Sequence, residues 1–126
     1  MKKILVVDDE FDLLQTICAT LELGGYEPVP AANGREALKL LAHGVPDLVL
    51  TDVMMPYMSG YELIAAIRKL PHGREVPTLL MSAIDPALHP EGNWNAVLPK
   101  PFTLDALLNA VEGLIGVAEQ GQPGLR

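Results

Sequence analysis

Short apolar runs alternate with longer amphipathic stretches along this chain of 126 residues. A short apolar run bounded by turn-forming residues is typical of a buried strand, whereas apolar residues at positions i, i+3, i+4 and i+7 are typical of a one-sided helix. The pattern predicts five strands, at residues 4–7, 27–31, 47–51, 78–82 and 96–98.

Amphipathic stretches after the first, second, third and fifth strands predict helices. Asn33 and Ser59 each precede a glutamate by three positions, so they are suited to cap the second and third helices. The last helix is predicted to start near Thr103, and Gly24-Gly25 and Pro71 are predicted to end the first and third. The predicted inward-facing residues are Leu14, Ile17, Cys18 and Leu21, then Ala37, Leu40 and Leu41, then Leu63 or Ile64, Ile67 and Leu70, and finally Leu104, Leu107, Leu108, Val111 and Ile115.

Alternating strands and helices predict βαβ units in one α/β domain. Their crossovers are right-handed and place helices on both faces of a parallel sheet. Pro28 and Pro30 cannot donate ladder hydrogen bonds, so the second strand is predicted at an edge, and the more apolar strand 47–51 at the centre. Residues 1–118 are predicted to form the domain, and 119–126 a flexible tail or the start of a linker.

Composition narrows the classes of function. Nine lysines and arginines against sixteen aspartates and glutamates give a net charge of −7, which argues against direct binding of nucleic acid. The apolar runs are far shorter than the roughly 20 residues that cross a bilayer, and no signal peptide is visible, so no membrane association is expected. Cys18, the single cysteine, is predicted to pack in the core, and a cytoplasmic location is expected.

Acidic residues end two of the predicted strands. Asp8 and Asp9 follow the first strand, and Asp52 follows the third. Because the carboxyl ends of parallel strands meet at one edge of a sheet, these carboxylates are expected to lie together, where they would repel one another. A hard divalent cation, Mg²⁺, is the simplest way to hold them.

Four motifs in register carry a resemblance to a known family. These are Asp8-Asp9, then Asp52 with the run to Gly60, then Ser82-Ala83, and then Lys100-Pro101-Phe102. In this order and at these strand ends, residues 3–116 resemble a receiver domain of two-component response regulators. The resemblance implies a flavodoxin-like, doubly wound, five-stranded parallel sheet in the order 2-1-3-4-5.

The resemblance also implies a role for each site residue. Asp52 is expected to be the phosphoacceptor, since a carboxylate can attack a phosphoryl group and form a mixed anhydride. Mg²⁺ is expected on Asp8, Asp9, Asp52 and the backbone carbonyl of Met54, with Lys100 and Ser82 contacting other phosphoryl oxygens. The expected partners are a histidine kinase or phosphotransfer protein, and an output domain or partner protein.

The sequence departs from the family in two places. Val97 stands at the position three before Lys100, where receivers commonly carry a switching aromatic residue. Only seventeen residues separate Ser82 from Lys100, and they include Pro86 and Pro90, so the fourth helix is predicted to shrink to about one turn or to become a loop. Our hypothesis is that output works through ordering of residues 83–95. His89 is expected to be an exposed loop residue, and Trp94 a packing or surface-contact residue.

Three classes of function follow from this pattern. The first is a phosphoryl-accepting switch, which catalyses only its own phosphorylation and dephosphorylation and is otherwise not an enzyme. The second is a pseudo-receiver that binds proteins without phosphate, which Val97 and the short segment favour and the intact Asp52 and Lys100 oppose. The third is an aspartyl-phosphate hydrolase, which requires an Asp-x-Asp pair where this chain has Asp8-Asp9.

Overall fold

Five parallel strands form one sheet in the order β2-β1-β3-β4-β5, as the resemblance to receiver domains implies. The structure is a computed structural model that describes residues 1–118, so the predicted tail at 119–126 lies outside the described residues. The strands are β1 Lys3–Val7, β2 Glu27–Ala31, β3 Leu48–Asp52, β4 Thr78–Ser82 and β5 Ala96–Pro99. Within residues 1–118 the α-helices are α1 Phe11–Leu23, α2 Gly34–Leu41, α3 Gly60–Ile67 and α4 Leu104–Ile115.

The sheet positions follow from the strand sequences. Every residue of β3 is buried, which suits the central strand of a sheet covered on both faces. β2 lies at an edge and pairs only with β1, with Pro28 opposite Ile4 and Pro30 opposite Val6. Glu27 N donates to the Lys2 carbonyl, so the alternate residues of β2 face β1 and both prolines face outward.

Two buried clusters sandwich the sheet. One packs α1 and α4 on one face, and the other packs α2 and α3 on the opposite face. Two predicted core positions are wrong: Leu40 is 38% exposed and Leu104 is 51% exposed. Leu40 lies one residue before Leu41, so it turns about 100° away from the buried stripe. Leu104 is the first residue of α4 and lies past the end of the buried cluster.

Local capping explains where the helices begin. Asn33 Oδ1 accepts a hydrogen bond from Glu36 N at 2.9 Å, and Ser59 and Glu62 form a reciprocal capping box, as predicted. Thr103 caps α4 in the same way. Each of these hydrogen bonds satisfies a backbone donor that the first helical turn would otherwise leave unpaired.

The third helix ends earlier than predicted, at Ile67 rather than near Pro71. Arg68 is the C-cap, and its Nη1 donates to the carbonyls of Gly73 and Val76 at 2.9 and 2.8 Å. The chain turns back at once because Gly73 packs directly against the Ile67 carbonyl. The contact of Arg68 with carbonyls five and eight residues later leaves no local pattern in the sequence, so the early end of α3 could not be predicted.

The connection between β4 and β5 contains one 3-10 turn, Pro86–Leu88, which confirms the predicted loss of a full fourth helix. Two side chains anchor its start: Ser82 Oγ accepts from Ile84 N, and Asp85 Oδ1 accepts from Ala87 N, both at 2.9 Å. Its end is held by α3, because Arg68 Nε donates to the Asn93 carbonyl at 3.2 Å. No helix within residues 1–118 is long and apolar enough to cross a membrane.

We predict opposite effects for alanine at two glycines. A Cβ at Gly73 would lie 1.8 Å from the Ile67 carbonyl oxygen, so Gly73→Ala should lower the free energy of unfolding by about 1–3 kcal/mol. Gly113 lies inside α4 with open space around it, so Gly113→Ala should raise the same quantity by about 0.5–1 kcal/mol. Urea denaturation measures both, and equal effects of the two substitutions would contradict the packing described here.

Candidate functional site

Three carboxylates meet at the carboxyl edge of the sheet, where the strand register brings them together. Val7 pairs with Thr51, so the residues that follow β1 stand beside Asp52, the last residue of β3. One ligand oxygen from each of Asp8, Asp9 and Asp52 lies within 4.8 Å of the other two. Asp8 is 1% exposed and Asp52 is 9% exposed, whereas Asp9 is open to solvent. The predicted clustering of these three residues is present.

Lys100 reaches into this cluster from the end of β5. Its Nζ lies 3.0 Å from Asp52 Oδ1 and 3.6 Å from Asp8 Oδ2. The Lys100 backbone N donates to the Ser82 carbonyl at 2.7 Å, which fixes the start of the loop, and the Lys100-Pro101 peptide bond is cis. The ammonium group of Lys100 therefore contacts two of the three carboxylates, those of Asp8 and Asp52.

Ser82 and Met54 lie on the segments that flank Asp52. Ser82 ends β4, the strand next to β3, and is 2% exposed. Its Oγ accepts a hydrogen bond from Ile84 N, so the hydroxyl proton is not used in that bond. Met54 follows Val53 after β3, and its side chain is 70% exposed, so the side chain does not pack in the core.

Close packing fixes the backbone that carries Asp52. Gly60 N donates to the Val53 carbonyl at 2.8 Å, and a Cβ at Gly60 would lie 2.3 Å from the Asp52 carbonyl oxygen. Thr51 Oγ1 also donates to that oxygen at 2.9 Å. Only glycine fits this approach, so the first turn of α3 is held tightly against the end of β3.

The electrostatics of the site show an excess of negative charge. Burial raises the pKa of Asp8 above 3.8, the Glu10 N–H opposes this effect, and the negative charge of Asp52 adds to it. Burial alone would lower the pKa of Lys100, but the hydrogen bond and charge of Asp52, together with Asp8, outweigh it and raise that pKa. Lys100 thus stays charged but does not fully neutralise its neighbours.

The donor set fits a hard divalent cation. Asp8 Oδ2 is buried and accepts no hydrogen bond from any residue in 1–118, although buried carboxylate oxygens normally have a partner. Two further carboxylate oxygens lie within 4.8 Å, and carboxylates supplemented by water are the ligands that Mg²⁺ prefers. The residues present therefore match the expected ion.

An aromatic cluster near the site escaped prediction. Tyr61, His89 and Trp94 pack with ring centroids 5.2–6.2 Å apart, and the Tyr61 hydroxyl is hydrogen-bonded to His89 Nδ1. The expectation that His89 is an exposed loop residue is therefore wrong, because its ring is partly buried against Tyr61 and Trp94. Trp94 was expected to pack or to make surface contacts, and it packs on Tyr61, a residue for which the sequence suggested no role.

The fold and this arrangement define a class of protein. A doubly wound parallel sheet that brings paired aspartates, a strand-end aspartate, a buried serine and a lysine to one edge is the architecture of a receiver domain. Residues 4–112 match the family described as the response regulator receiver domain. The chain belongs to this family.

Known response regulators are similar to this chain in sequence and structure over about 90% of its length. It is 37% identical over 117 residues to the response regulator MprA of Mycolicibacterium vanbaalenii, a match that covers 90% of this chain and 50% of MprA. Its structure resembles the chemotaxis response regulator CheY4 of Vibrio cholerae, with a TM-score of 0.87, 34% identity, and coverage of 90% of this chain and 98% of CheY4. It also resembles TrrA of Thermotoga maritima, solved in complex with Mg(2+)-BeF, with a TM-score of 0.81, 35% identity, and coverage of 90% and 99%. The chain spans about half the length of the curated relatives it matches.

Removal of the buried charge on Asp8 should stabilise the fold when no divalent cation is present. The pKa of Asp8 lies above 3.8, its ordinary value, in the folded protein. Between the ordinary pKa and the raised pKa of the folded state, the folded state therefore binds more protons than the unfolded state. Its contribution to the free energy of unfolding therefore falls as pH rises through that window. Asp8→Asn should be more stable than the wild type at pH 7 in EDTA, and this gain should disappear as the pH approaches 3.8.

Urea denaturation across this pH range provides the measurement. Asp9→Asn is the matched control, because Asp9 belongs to the same cluster but is exposed, and its effect should be smaller. An Asp8→Asn variant less stable than the wild type at pH 7 would contradict the assignment of a buried charge that Lys100 compensates only in part.

Proposed function

We propose that this receiver domain is a phosphoryl-accepting switch in which Asp52 takes a phosphoryl group from a phosphohistidine of a histidine kinase or phosphotransfer protein. The observation that carries the proposal is the contact of Lys100 with both Asp52 and Asp8, where the buried Asp8 Oδ2 lies 3.6 Å from Lys100 Nζ and accepts no hydrogen bond from residues 1–118. Such a site has a nucleophile, a cation and unsatisfied ligand capacity in one place.

Asp52 supplies the nucleophile. Lys100 Nζ donates to Oδ1 at 3.0 Å, and the other carboxylate oxygen accepts no hydrogen bond from residues 1–118, which leaves it for attack. In the transfer, a new O–P bond forms to this oxygen as the N–P bond of the donor phosphohistidine breaks. The electron pair returns to the imidazole of the donor, and Asp52 becomes a mixed anhydride.

Asp8, Asp9, Asp52 and the backbone carbonyl of Met54 are the proposed ligands of Mg²⁺. When bound, the ion neutralises charge on the transferring phosphoryl oxygens. Asp8 contributes a buried, preformed oxygen whose orientation is fixed by the Glu10 N–H on its other oxygen at 2.9 Å. Asp9 is exposed and completes the set from the solvent side.

Lys100 and Ser82 are the proposed contacts of the phosphoryl oxygens. Lys100 supplies a point charge on a flexible stem and can follow the negative charge from Asp52 onto the new group. Ser82 can donate its hydroxyl proton while its lone pair keeps the bond from Ile84 N. Ala83, which follows Ser82, is small and exposed, which keeps the site approachable for the donor histidine.

The alternatives differ in what the site must do. A pseudo-receiver that binds partners without phosphate would leave Asp52 unmodified, and Val97 in place of an aromatic residue is the feature that favours it. An aspartyl-phosphate hydrolase would turn over substrate, for which Asp8-Asp9 is the wrong spacing. We therefore propose a switch that catalyses only its own phosphorylation and dephosphorylation, acts in the cytoplasm and signals to an output domain or partner protein.

Phosphorylation is tested by incubation with Mg²⁺ and acetyl phosphate followed by intact mass spectrometry. The wild type should gain the mass of one phosphoryl group, and EDTA should abolish the gain. Asp52→Asn should show none, because an amide oxygen is a poor nucleophile. Asp9→Asn should slow the reaction by weakening the metal site.

Each competing function predicts a different result. Unchanged mass in the wild type would support the pseudo-receiver and overturn our proposal. Continuous release of phosphate without a stable phosphoprotein would support the hydrolase. A phosphoryl gain that persists in Asp52→Asn would place the acceptor elsewhere.

We also predict a long phosphoryl lifetime. Met54 and Ile84 stand two positions after Asp52 and Ser82, and neither carries a polar group that could orient water for attack on the mixed anhydride. Met54→Asn should shorten the lifetime by about tenfold or more. Loss of phosphate from isolated phosphoprotein is the measurement, with Met54→Leu as the apolar control. Rapid loss in the wild type that Met54→Asn leaves unchanged would contradict the prediction.

A further inference from the structure

The aromatic cluster of Tyr61, His89 and Trp94 joins two segments that flank the acceptor site. Tyr61 is in the first turn of α3, whereas His89 and Trp94 belong to the connection between β4 and β5. Their rings are packed pairwise with centroids 5.7, 5.2 and 6.2 Å apart, and the Tyr61 hydroxyl is bonded to His89 Nδ1. This is the one hydrogen bond in residues 1–118 that links the first turn of α3 to that connection.

One side of the cluster is fixed to Asp52. Gly60 N donates to the Val53 carbonyl, and position 60 has no room for a Cβ because the Asp52 carbonyl is so close. Tyr61 is the next residue, so its backbone is held against the end of β3. A change at Asp52 therefore reaches the Tyr61 hydroxyl through a short and closely packed path.

The other side of the cluster is fixed to Ser82. Ser82 Oγ holds Ile84 N, Asp85 caps the 3-10 turn, and Leu88 N donates to the Asp85 carbonyl at 2.8 Å. These hydrogen bonds hold residues 82–88, up to the residue before His89. Movement of the Ser82 hydroxyl toward a phosphoryl group would therefore also move the segment that leads to His89.

The cluster also occupies the place that the missing aromatic switch leaves open. Val97 packs against the small buried group of Val53, Ile64 and Leu80, and Tyr61 and Trp94 cover the same group. The ring of Trp94 folds back over Gly92, where a Cβ would lie 1.9 Å from the indole. Valine has no ring to rotate, so the aromatic rings that contact this group are those of Trp94 and Tyr61.

The packed arrangement of Tyr61, His89 and Trp94, which we call the closed cluster, buries a polar atom that would be hydrated if the three rings separated. His89 Nε2 is buried and has no hydrogen-bond partner in residues 1–118, whereas its Nδ1 is bonded to Tyr61. A buried ring nitrogen without a partner disfavours the closed arrangement, and exposure to water would satisfy it. Farther along the segment, Arg68 holds the Asn93 carbonyl. Residues 89–92 can thus open between two anchored ends.

We propose that the aromatic cluster is the readout element of this receiver: phosphorylation of Asp52 breaks the Tyr61–His89 hydrogen bond and releases Trp94 from its packed position. This inference rests on the proposed function. The two anchors shift relative to each other when Ser82 moves to the phosphoryl group, and a hydrogen bond tolerates little displacement. Because ligand and conformation are linked, the closed cluster must in turn weaken binding of a phosphoryl mimic.

Trp94 is the single tryptophan, so its fluorescence reports on the cluster directly. The probe is Mg²⁺ with beryllofluoride, and ¹⁹F NMR independently measures the bound fluoroberyllate. In the wild type, binding should shift Trp94 emission to longer wavelength. Tyr61→Phe keeps the ring and removes the hydroxyl, so its emission should already be shifted without the probe, and its response should fall to less than about half.

Affinity provides the readout that a purely structural role would not change. Tyr61→Phe should bind beryllofluoride about three- to tenfold more tightly, because the bond that opposes the bound state is gone. Tyr57→Phe is the matched control: Tyr57 is 91% exposed, and the same change there should leave both emission and affinity unaltered. Urea denaturation confirms that each variant is folded.

Three results would overturn the proposal. A full emission response with unchanged affinity in Tyr61→Phe would show that the hydroxyl plays no part in the readout. Unchanged Trp94 emission in the wild type, with fluoroberyllate visibly bound, would overturn the readout while leaving the proposed function intact. Absence of bound fluoroberyllate in the wild type would overturn both.

Discussion

Parallel pairing in register is the constraint on which the rest of this molecule depends. Val7 lies opposite Thr51, and Asp52 opposite Met81, so three strands end at nearly the same level. This alignment collects carboxylates that would otherwise separate, and it forces Asp8 into a buried position with a raised pKa. Lys100, from the next strand end, supplies partial compensation. The site is therefore a consequence of strand register, and any slip in pairing would disperse it.

Much of the fold and the site was readable from the sequence, because both rest on local patterns. The helix caps and the convergence of Asp8, Asp9 and Asp52 follow from apolar periodicity and topology, and the strand order follows from the resemblance to receiver domains. The misjudged positions depend on tertiary contacts. Leu40 and Leu104 fit an apolar stripe but lie outside the buried surface, and α3 ends early because Arg68 binds carbonyls beyond the loop. The role of Asp52 as phosphoacceptor, the phosphoryl contacts of Lys100 and Ser82, and the Mg²⁺ ligand set of Asp8, Asp9, Asp52 and Met54 all remain predictions. His89 could not be placed because its partner, Tyr61, lies 28 residues away.

The shortened connection between β4 and β5 changes how this receiver is stabilised around its site. A full helix there would cover Val53, Ile64 and Leu80 with an apolar stripe, and here two aromatic rings and Val97 do so instead. Rings held by one hydrogen bond and by edge contacts form a smaller cooperative unit than a helix. Such a unit should open at lower cost than the sheet, and it lies beside the residues of the site.

The two prolines of β2 have a consequence for self-association. Edge strands of parallel sheets present unpaired backbone donors that can recruit a strand from another molecule. Pro28 and Pro30 both face outward at this edge, so neither outward position offers an N–H to an incoming strand. A second chain cannot extend the sheet past β2 by regular pairing, however high its local concentration. Association between copies at that edge is therefore left to side chains and to the outward-facing proline carbonyls, which accept hydrogen bonds but cannot donate them.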